Sequence, residues 1–330
     1  MTENLKIAVV IPSYKVKNHI MKVINQIGSE VCKIYIVDDC CPDGTGAFVK
    51  SHCVDKRIVV IKNPENQGVG GAVIKGYKEA IKDSMDIIVK IDGDNQMDPR
   101  LLLHFVNPIV ANKADYTKGN RFFNLEKINT MPKLRLLGNA LLSFITKFSS
   151  GYWNIFDPTN GYTAIHADVA SKLPFNKISN CYFFETDMLF HLNILRAVVL
   201  DIPMDAKYDA EISNLKVSKV IWKFFTKHIK NFLKRVFYNY YLRDMSLASI
   251  ELPIGVFMLI YGTTYGAFNW INSIQSETQT PNGVIMLSSL LVILGVQFLL
   301  AFVGYDISSV PRIPLHHKKT LYQSNQKHIL

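Results

Sequence analysis

The chain has 330 residues, a formal net charge of +10 and a hydrophobic share of 48%, enough for one large domain or two with a sizeable core. Five cysteines, an odd number, show no metal-ligand spacing, which argues against a zinc or disulfide framework and reads as free thiols in a reducing compartment. The mean hydropathy of +0.12 is high for a soluble enzyme, and its cause is local to the last third of the chain.

From the N-terminus, residues 6–12 form an apolar run ending at Pro12-Ser13, and residues 17–27 follow with helical spacing. That run is strand-sized, so nothing before residue 30 resembles a signal peptide. Residues 33–37 repeat the strand and end on Asp38-Asp39, and a Pro/Gly turn over 40–46 leads into a helix over 47–53. A third strand (57–61), a helix (72–83) and a fourth strand (87–92) complete an alternation that argues for a parallel sheet covered on both faces, an α/β fold. Ligands in such folds lie at the carboxyl ends of the strands. Here those ends carry Pro12-Ser13-Tyr14, Asp38-Asp39 and the acidic stretch 92–96. If that stretch stays extended, a period of two puts Asp92, Asp94 and Gln96 on one side. They would then form a half-cage of hard oxygens suited to Mg²⁺ or Mn²⁺, which keeps positions open for substrate phosphates. An isolated Asp-x-Asp is otherwise a solvated acidic turn.

Further along, 115–118 and 163–166 read as short strands, 133–148 as a basic and apolar helix, 182–195 as a helix opening on Glu185-Thr186-Asp187, and 198–202 as a late strand. Gly68, Gly70 and Gly71 suggest a dinucleotide loop, but Val73 occupies the third glycine position and excludes it. Residues 252–276 and 278–305 carry no Asp, Glu, Lys or Arg, and each exceeds the roughly 20 residues that cross a hydrocarbon layer. They read as two spans joined in a hairpin by a polar link. Basic stretches at 216–243 and 312–327 flank the hairpin, so the positive-inside bias sets both, and the N-terminal domain, in the cytoplasm. The first of these stretches holds eight Lys or Arg and no acid. On a helical wheel Lys219, Lys223, Lys227, Lys230 and Lys234 fall on one arc and Ile221, Phe225, Ile229, Phe232 and Val236 on the other, which reads as an interfacial helix on anionic lipid. The adjoining span, and the absence of a recognition motif, argue against nucleic acid. The segments expected are thus 1–215, 216–245, 252–305 and a basic tail over 306–330.

With VVIPSYK at 9–15, VDDCCPDGT at 37–45, NQGVGGAVIKGY at 66–77 and DGDNQMDP at 92–99 in order, the chain resembles the family-two, GT-A-type glycosyltransferases. Within them it resembles the polyprenyl-phosphate branch related to dolichol-phosphate mannose synthase, including members with a C-terminal membrane hairpin. The resemblance implies a GT-A fold, a mostly parallel Rossmann-like sheet, and an inverting hexosyltransferase. Its donor would be a nucleotide sugar, UDP-glucose or another UDP-hexose ahead of GDP-mannose. Its acceptor would be a polyprenyl phosphate, and its place the membrane, the bacterial inner membrane first, with a homo-oligomer as a further expectation.

Residue by residue, Asp39 matches the acid that reads the nucleotide base, with Pro12 and Tyr14 in the loop beside it. Asp92, Asp94 and Gln96 match the metal and diphosphate site. Arg121 matches an arginine implicated in phosphate contacts, and Asp157, in DPTNGY, an acid near the reacting centre, as a base or a positioning group. Arg121 and Arg135 are candidates for the acceptor phosphate, as planar forks for its oxygens. Glu185 and Asp187 are further acceptor-side candidates, or else helix N-terminal acids that complement the dipole. Tyr208, Glu211, Ser213 and Lys216 resemble the segment before the membrane helix. Val16 and Cys40-Cys41 depart from the pattern, replacing a Glu and a Gly-Ser. A processive polysaccharide synthase is disfavoured by the absence of Gln-x-x-Arg-Trp, and a non-catalytic membrane adaptor by the presence of Asp92 and Asp94.

Overall fold

The computed structural model describes residues 5–123, 133–205 and 217–317, with the side chains of 133–135 and 217–221 left aside. Compactness divides the chain into two units, one of residues 1–232 with 311–330 and one of residues 233–310.

The first unit is built on a seven-stranded sheet. Its strands are β1 (Ile7–Ser13), β2 (Val31–Asp38), β3 (Ile58–Lys62), β4 (Ile87–Lys90), β5 (Tyr116–Asn120), β6 (Thr163–His166) and β7 (Val199–Pro203), in the order β3-β2-β1-β4-β6-β5-β7. Every residue of β1 and β4 is buried, the continuous apolar pattern of strands covered on both faces. Val9 pairs with Ile34 on one side and Val89 on the other, and each buried Ile or Val contributes about 1.5–3 kcal/mol relative to exposure. Helices α1 (Ile20–Asn25), α2 (Thr45–His52) and α3 (Gly68–Lys82) fill the crossovers between β1, β2, β3 and β4.

The sheet is mostly parallel, as expected, with β1 to β4 all pairing in parallel, and two features lie beyond the sequence reading. The sequence reading names no element between 92 and 115, yet Leu102–Val110 is a helix, α4, which buries Leu102, Phe105, Val106 and Ile109 despite the internal Pro108. Its Phe105 stacks on Tyr162 at 4.0 Å. The sheet is also not wholly parallel, because β6 runs antiparallel to both β4 and β5. A buried four-residue strand carries no signal of its direction. The consequence is positional: entering from the carboxyl edge of its neighbours, β6 sets its first residue, Thr163, opposite both Lys90 and Lys118. The turn that precedes it therefore opens onto the edge where the acidic loop begins.

The remaining helices of this unit are α5 (Lys133–Ser150), the single turn α6 (Ala167–Ala170), α7 (Phe184–Leu195) and the first part of α8 (Val217–Phe237). The buried stripe of α8 within this unit is polar, His228 and Asn231, bonded to Ser149 on α5 at 2.8 Å and to Asp187 on α7 at 2.8 Å. Trp222, Phe225, Ile229, Leu233 and Phe237 form an exposed apolar stripe. Of the apolar arc expected to face lipid, Phe225 and Ile229 are exposed, while Val236 departs from it and is buried. Lys223, Lys227, Lys230 and Lys234 are exposed as expected, while the side chains of Lys219 and Ile221 lie outside those described. After the second unit the chain returns to the first, where the backbone amides of Leu315 and His316 and the His316 ring bond Asp115.

The second unit holds the end of α8 and two long helices, α9 (Leu247–Gln275) and α10 (Asn282–Ser308). Both are long and apolar enough to cross a membrane, and only 22% and 6% of their most apolar stretches is buried. Core helices of a soluble protein would hide those faces. Close packing between them relies on Gly255, Gly262 and Gly295, and a Cβ on Gly295 would lie 2.8 Å from the Leu259 amide nitrogen. At the foot of the pair Asp306 accepts both arms of Arg235, at 2.6 and 2.9 Å, and the Tyr240 hydroxyl at 2.5 Å.

Candidate active site

The carboxyl ends of β1, β2 and β4 converge, and each is followed by a non-glycine residue in the left-handed region: Lys15 (φ 59°), Cys40 (φ 54°) and Asn95 (φ 64°). Such residues each cost about 1 kcal/mol or more and gather where a loop is held for function. The turn at Asn95 also corrects the extended reading of 92–96. The chain turns there, with Asp94 Oδ1 accepting the Gln96 amide at 3.0 Å, so residues 92–96 form a turn and not a continued strand.

Below this turn lies a residue that the sequence reading passed over. Lys90, the last residue of β4, is 1% exposed and reaches Asp92 Oδ1 at 2.9 Å and Glu185 Oε1 at 3.0 Å. Burial pulls its pKa down, but the two carboxylates outweigh burial and hold it above the ordinary value. A second buried lysine, Lys118 on β5, donates to the Asn160 carbonyl. Its pKa is lowered to about 8 by burial, which Glu185 and Asp157 only partly offset. A lone Lys inside IIVK or YTKGN was the available signal, since an unpaired charge is not carried into a doubly covered strand.

Asp157 is 1% exposed and is gripped by Arg121, Nε to Oδ2 at 2.7 Å and Nη2 to Oδ1 at 2.9 Å. The two residues come from the end of β5 and the turn before β6, which the antiparallel β6 brings together. Arg121, expected as a phosphate contact, is thus shared with a buried acid. Behind the pair, Asp201 on β7 accepts from Asn120 at 2.9 Å and from the Phe156 amide at 3.0 Å, and burial raises its pKa to about 6.

The other sequence candidates fall as follows. Asp39 is 3% exposed and accepts from Asn63, at 2.8 Å, and from the backbone amides of Gln67 and Gly68, at 2.9 and 2.8 Å. It caps the start of α3, and three of a carboxylate's about four acceptor sites are taken by these donors. Two further amides of α3, those of Gly70 and Gly71, are taken by the Asn180 carbonyl. This explains the glycines, because a Cβ on Gly70 would lie 2.5 Å from the Ser179 carbonyl oxygen. Pro12 is buried within β1, while Tyr14 is 44% exposed at the rim. Asp187 takes the Ser179 amide at 2.8 Å as well as Asn231, and so joins α7 to α8. Glu185 is held by Lys90. The backbone of Arg135 is on α5 and its side chain is outside those described, as are Tyr208, Glu211, Ser213 and Lys216.

Among the described residues no three His, Cys, Asp or Glu side chains are grouped as a metal cage. Asp94 and Gln96 on one tight turn, with Asp92 at its start, fit an ion that draws one or two protein oxygens and takes the rest from phosphates and water.

Residues 8–173, half of the chain, match the sequence profile of glycosyl transferase family 2. The chain belongs to this family. Among its relatives, this family-two glycosyltransferase is 31% identical over 172 residues to a UDP-N-acetylglucosamine–dolichyl-phosphate N-acetylglucosaminyltransferase of Methanococcus voltae, covering 48% of this chain and 68% of that one. An undecaprenyl-phosphate mannosyltransferase of Micrococcus luteus is 26% identical over 204 residues, covering 61% and 83%. The fold is that of the GT-A enzymes. Mycobacterium tuberculosis glucosyl-3-phosphoglycerate synthase, solved with Mn²⁺, UDP-glucose and phosphoglyceric acid, superposes with a TM-score of 0.53 over 71% of this family-two chain and 80% of its own, at 17% identity.

Proposed function

We propose that this glycosyltransferase moves a hexose from a nucleotide diphosphate sugar onto a polyprenyl phosphate, with inversion, at a membrane surface. The observation that carries the reading is the union, on one chain, of a family-two domain and two helices with outward apolar faces. Relatives named for dolichyl and undecaprenyl phosphate support the acceptor class. A UDP-hexose, glucose first, is the proposed donor, and the uridine nucleotide in the Methanococcus relative's name supports the base. The cytoplasmic face of a bacterial inner membrane is the proposed location.

In this reading an acceptor phosphate oxygen bonds to the anomeric carbon as the bond from that carbon to the donor diphosphate breaks, and the electron pair leaves with the nucleoside diphosphate. A lipid phosphate, with a second pKa of about 6, is already anionic near neutral pH, so no general base is needed. Asp157 then serves by holding Arg121 in place, and Arg121 presents a fixed positive fork at the crevice edge. Tyr14 and Asp39 receive the base. Asp94 and Gln96, with Asp92, would hold Mg²⁺ or Mn²⁺, which supplies positive charge where the leaving diphosphate gains negative charge. The exposed stripe Trp222, Phe225 and Ile229 beside Lys223, Lys227 and Lys230 supports docking of α8 on anionic lipid.

The test is incubation of the purified full chain with UDP-glucose, UDP-N-acetylglucosamine or GDP-mannose and a short polyprenyl phosphate, followed by mass analysis of the lipid. A glycosylated lipid phosphate is expected, made from UDP-glucose and lost in Asp94→Ala. Product from GDP-mannose alone would overturn the donor, and transfer only to soluble acceptors would overturn the lipid.

A further inference from the structure

Lys90 has no part in the transfer described above, yet it is the most tightly enclosed cation beside the acidic turn. Its backbone is fixed from both sides, by pairing of β4 with Val10 on β1 and Thr163 on β6. Its ammonium is 1% exposed and touches two carboxylates from separate parts of the chain, Asp92 and Glu185. The third wall is Gly161, from the turn before β6. A Cβ there would collide with Asp92 Oδ2 and come within 2.5 Å of Lys90 Nζ. One oxygen of Asp92 is thus held by the lysine and the other lies against bare glycine backbone, so the carboxylate has one orientation. Asp92 begins the turn that carries Asp94 and Gln96, and that turn contains the left-handed Asn95. Something has to hold this acidic, strained turn while the crevice is empty.

We propose that Lys90 is a positioning residue that acts through Asp92, fixing the acidic turn so that Asp94 and Gln96 can receive a divalent cation together with a nucleoside diphosphate. The proposal rests on the transferase reading. Glu185 is the balancing group, because one ammonium between two carboxylates leaves the seam with a single negative charge in place of two facing negatives. Lys118 stands near the same acid but is bonded to the Asn160 carbonyl, and it does not substitute for Lys90 at Asp92.

The test uses the full-length protein in detergent, with Mn²⁺ as the probe. Uptake is followed by the loss of the free-ion electron paramagnetic resonance signal, in the presence of UDP and without acceptor, beside a thermal melt. Two variants are compared. Lys90→Met leaves Asp92 and Glu185 facing each other without a cation and is expected to melt early. Lys90→Met with Glu185→Gln removes that repulsion and is expected to recover most of the melting temperature. Both are expected to bind Mn²⁺ with UDP at least tenfold more weakly than the parent, because Asp92 has lost its anchor in both. A double variant that recovers stability and also binds Mn²⁺ as tightly as the parent, or more tightly, overturns the proposal and leaves Lys90 a purely structural ion pair. If the parent itself takes up no Mn²⁺ with any nucleoside diphosphate, the metal-dependent reading fails along with it, an outcome distinct from equal binding by parent and variants.

Discussion

Removing the guanidinium of Arg121 is expected to destabilise the protein as well as slow it. Its partner Asp157 is 1% exposed, and among the described residues the other contacts of its carboxylate are longer, from the Arg121 backbone amide at 3.3 Å and from Thr159 and Asn160 at 3.5 Å. Leaving a buried carboxylate without its cation costs about 3–5 kcal/mol, and at roughly 2–4 °C per kcal/mol in a unit of this size the melting temperature falls by about 10 °C. Read from sequence as a phosphate contact alone, Arg121→Ala predicts lost turnover with little lost stability, and the ion pair reverses that second expectation. The assay is a double-mutant cycle of urea melts with Arg121→Met, Asp157→Asn and the pair together, beside the rate of donor turnover. The double variant is expected to recover most of the lost stability, since two neutral partners leave no stranded charge, and to recover none of the activity. Arg121→Met melting within about 1 kcal/mol of the parent would refute the reasoning, because a buried acid cannot lose the cation that grips it so cheaply.

Other substitutions test neighbouring parts of the argument. Gly161→Ala places a methyl group on Asp92 Oδ2 and beside Lys90 Nζ, and is expected to cut donor turnover by at least tenfold; a fully active variant would show that the seam is not close-packed. His228 is buried against Ser149 and Phe183, and burial lowers its pKa to about 4. Between that value and about 6.5 the unfolded chain binds the proton and the folded chain does not, so stability falls with pH through this window, by about 3 kcal/mol in all. Urea midpoints measured from pH 7 to 4 should show this slope, and His228→Gln should flatten it. Changing Lys223, Lys230 and Lys234 together to Gln is expected to lower lipid glycosylation in anionic nanodiscs severalfold, at about 1 kcal/mol per cation, with nucleotide affinity unchanged. Equal rates in neutral and anionic lipid for both proteins would remove the electrostatic role of α8.

Much of the frame was legible because it is written in runs. Four apolar strands, each ending in polar residues, gave the sheet, its carboxyl edge and the acidic turn, and two charge-free stretches gave the long helices. What stayed hidden depends on partners distant in sequence. Thr163–His166 reads as a strand whichever way it points, and only its direction brings Asp157 to Arg121. Leu102–Val110 carries helical spacing, but Pro108 argues against a helix in an isolated segment. Glu185 and Asp187 look alike at the start of one helix, yet one faces Lys90 and the other Asn231, a difference set by which neighbour packs on which side. The buried side of α8 includes His228, Asn231 and Arg235 beside Val236, contacts that a wheel drawn by hydropathy does not mark.

The return of the chain to its first unit has a practical reach. Since the described residues after the second unit, 311–317, belong with the first, the unit of the two long apolar helices is an insertion in the sequence of the other and not an appendage to it. A stop codon placed after Phe232 would discard Leu315 and His316 together with the helices, and would strip Asp115, which is fully buried, of three of its donors. A water-soluble version therefore calls for excision and religation, with a short flexible bridge standing in for residues 233–310 and the final segment kept.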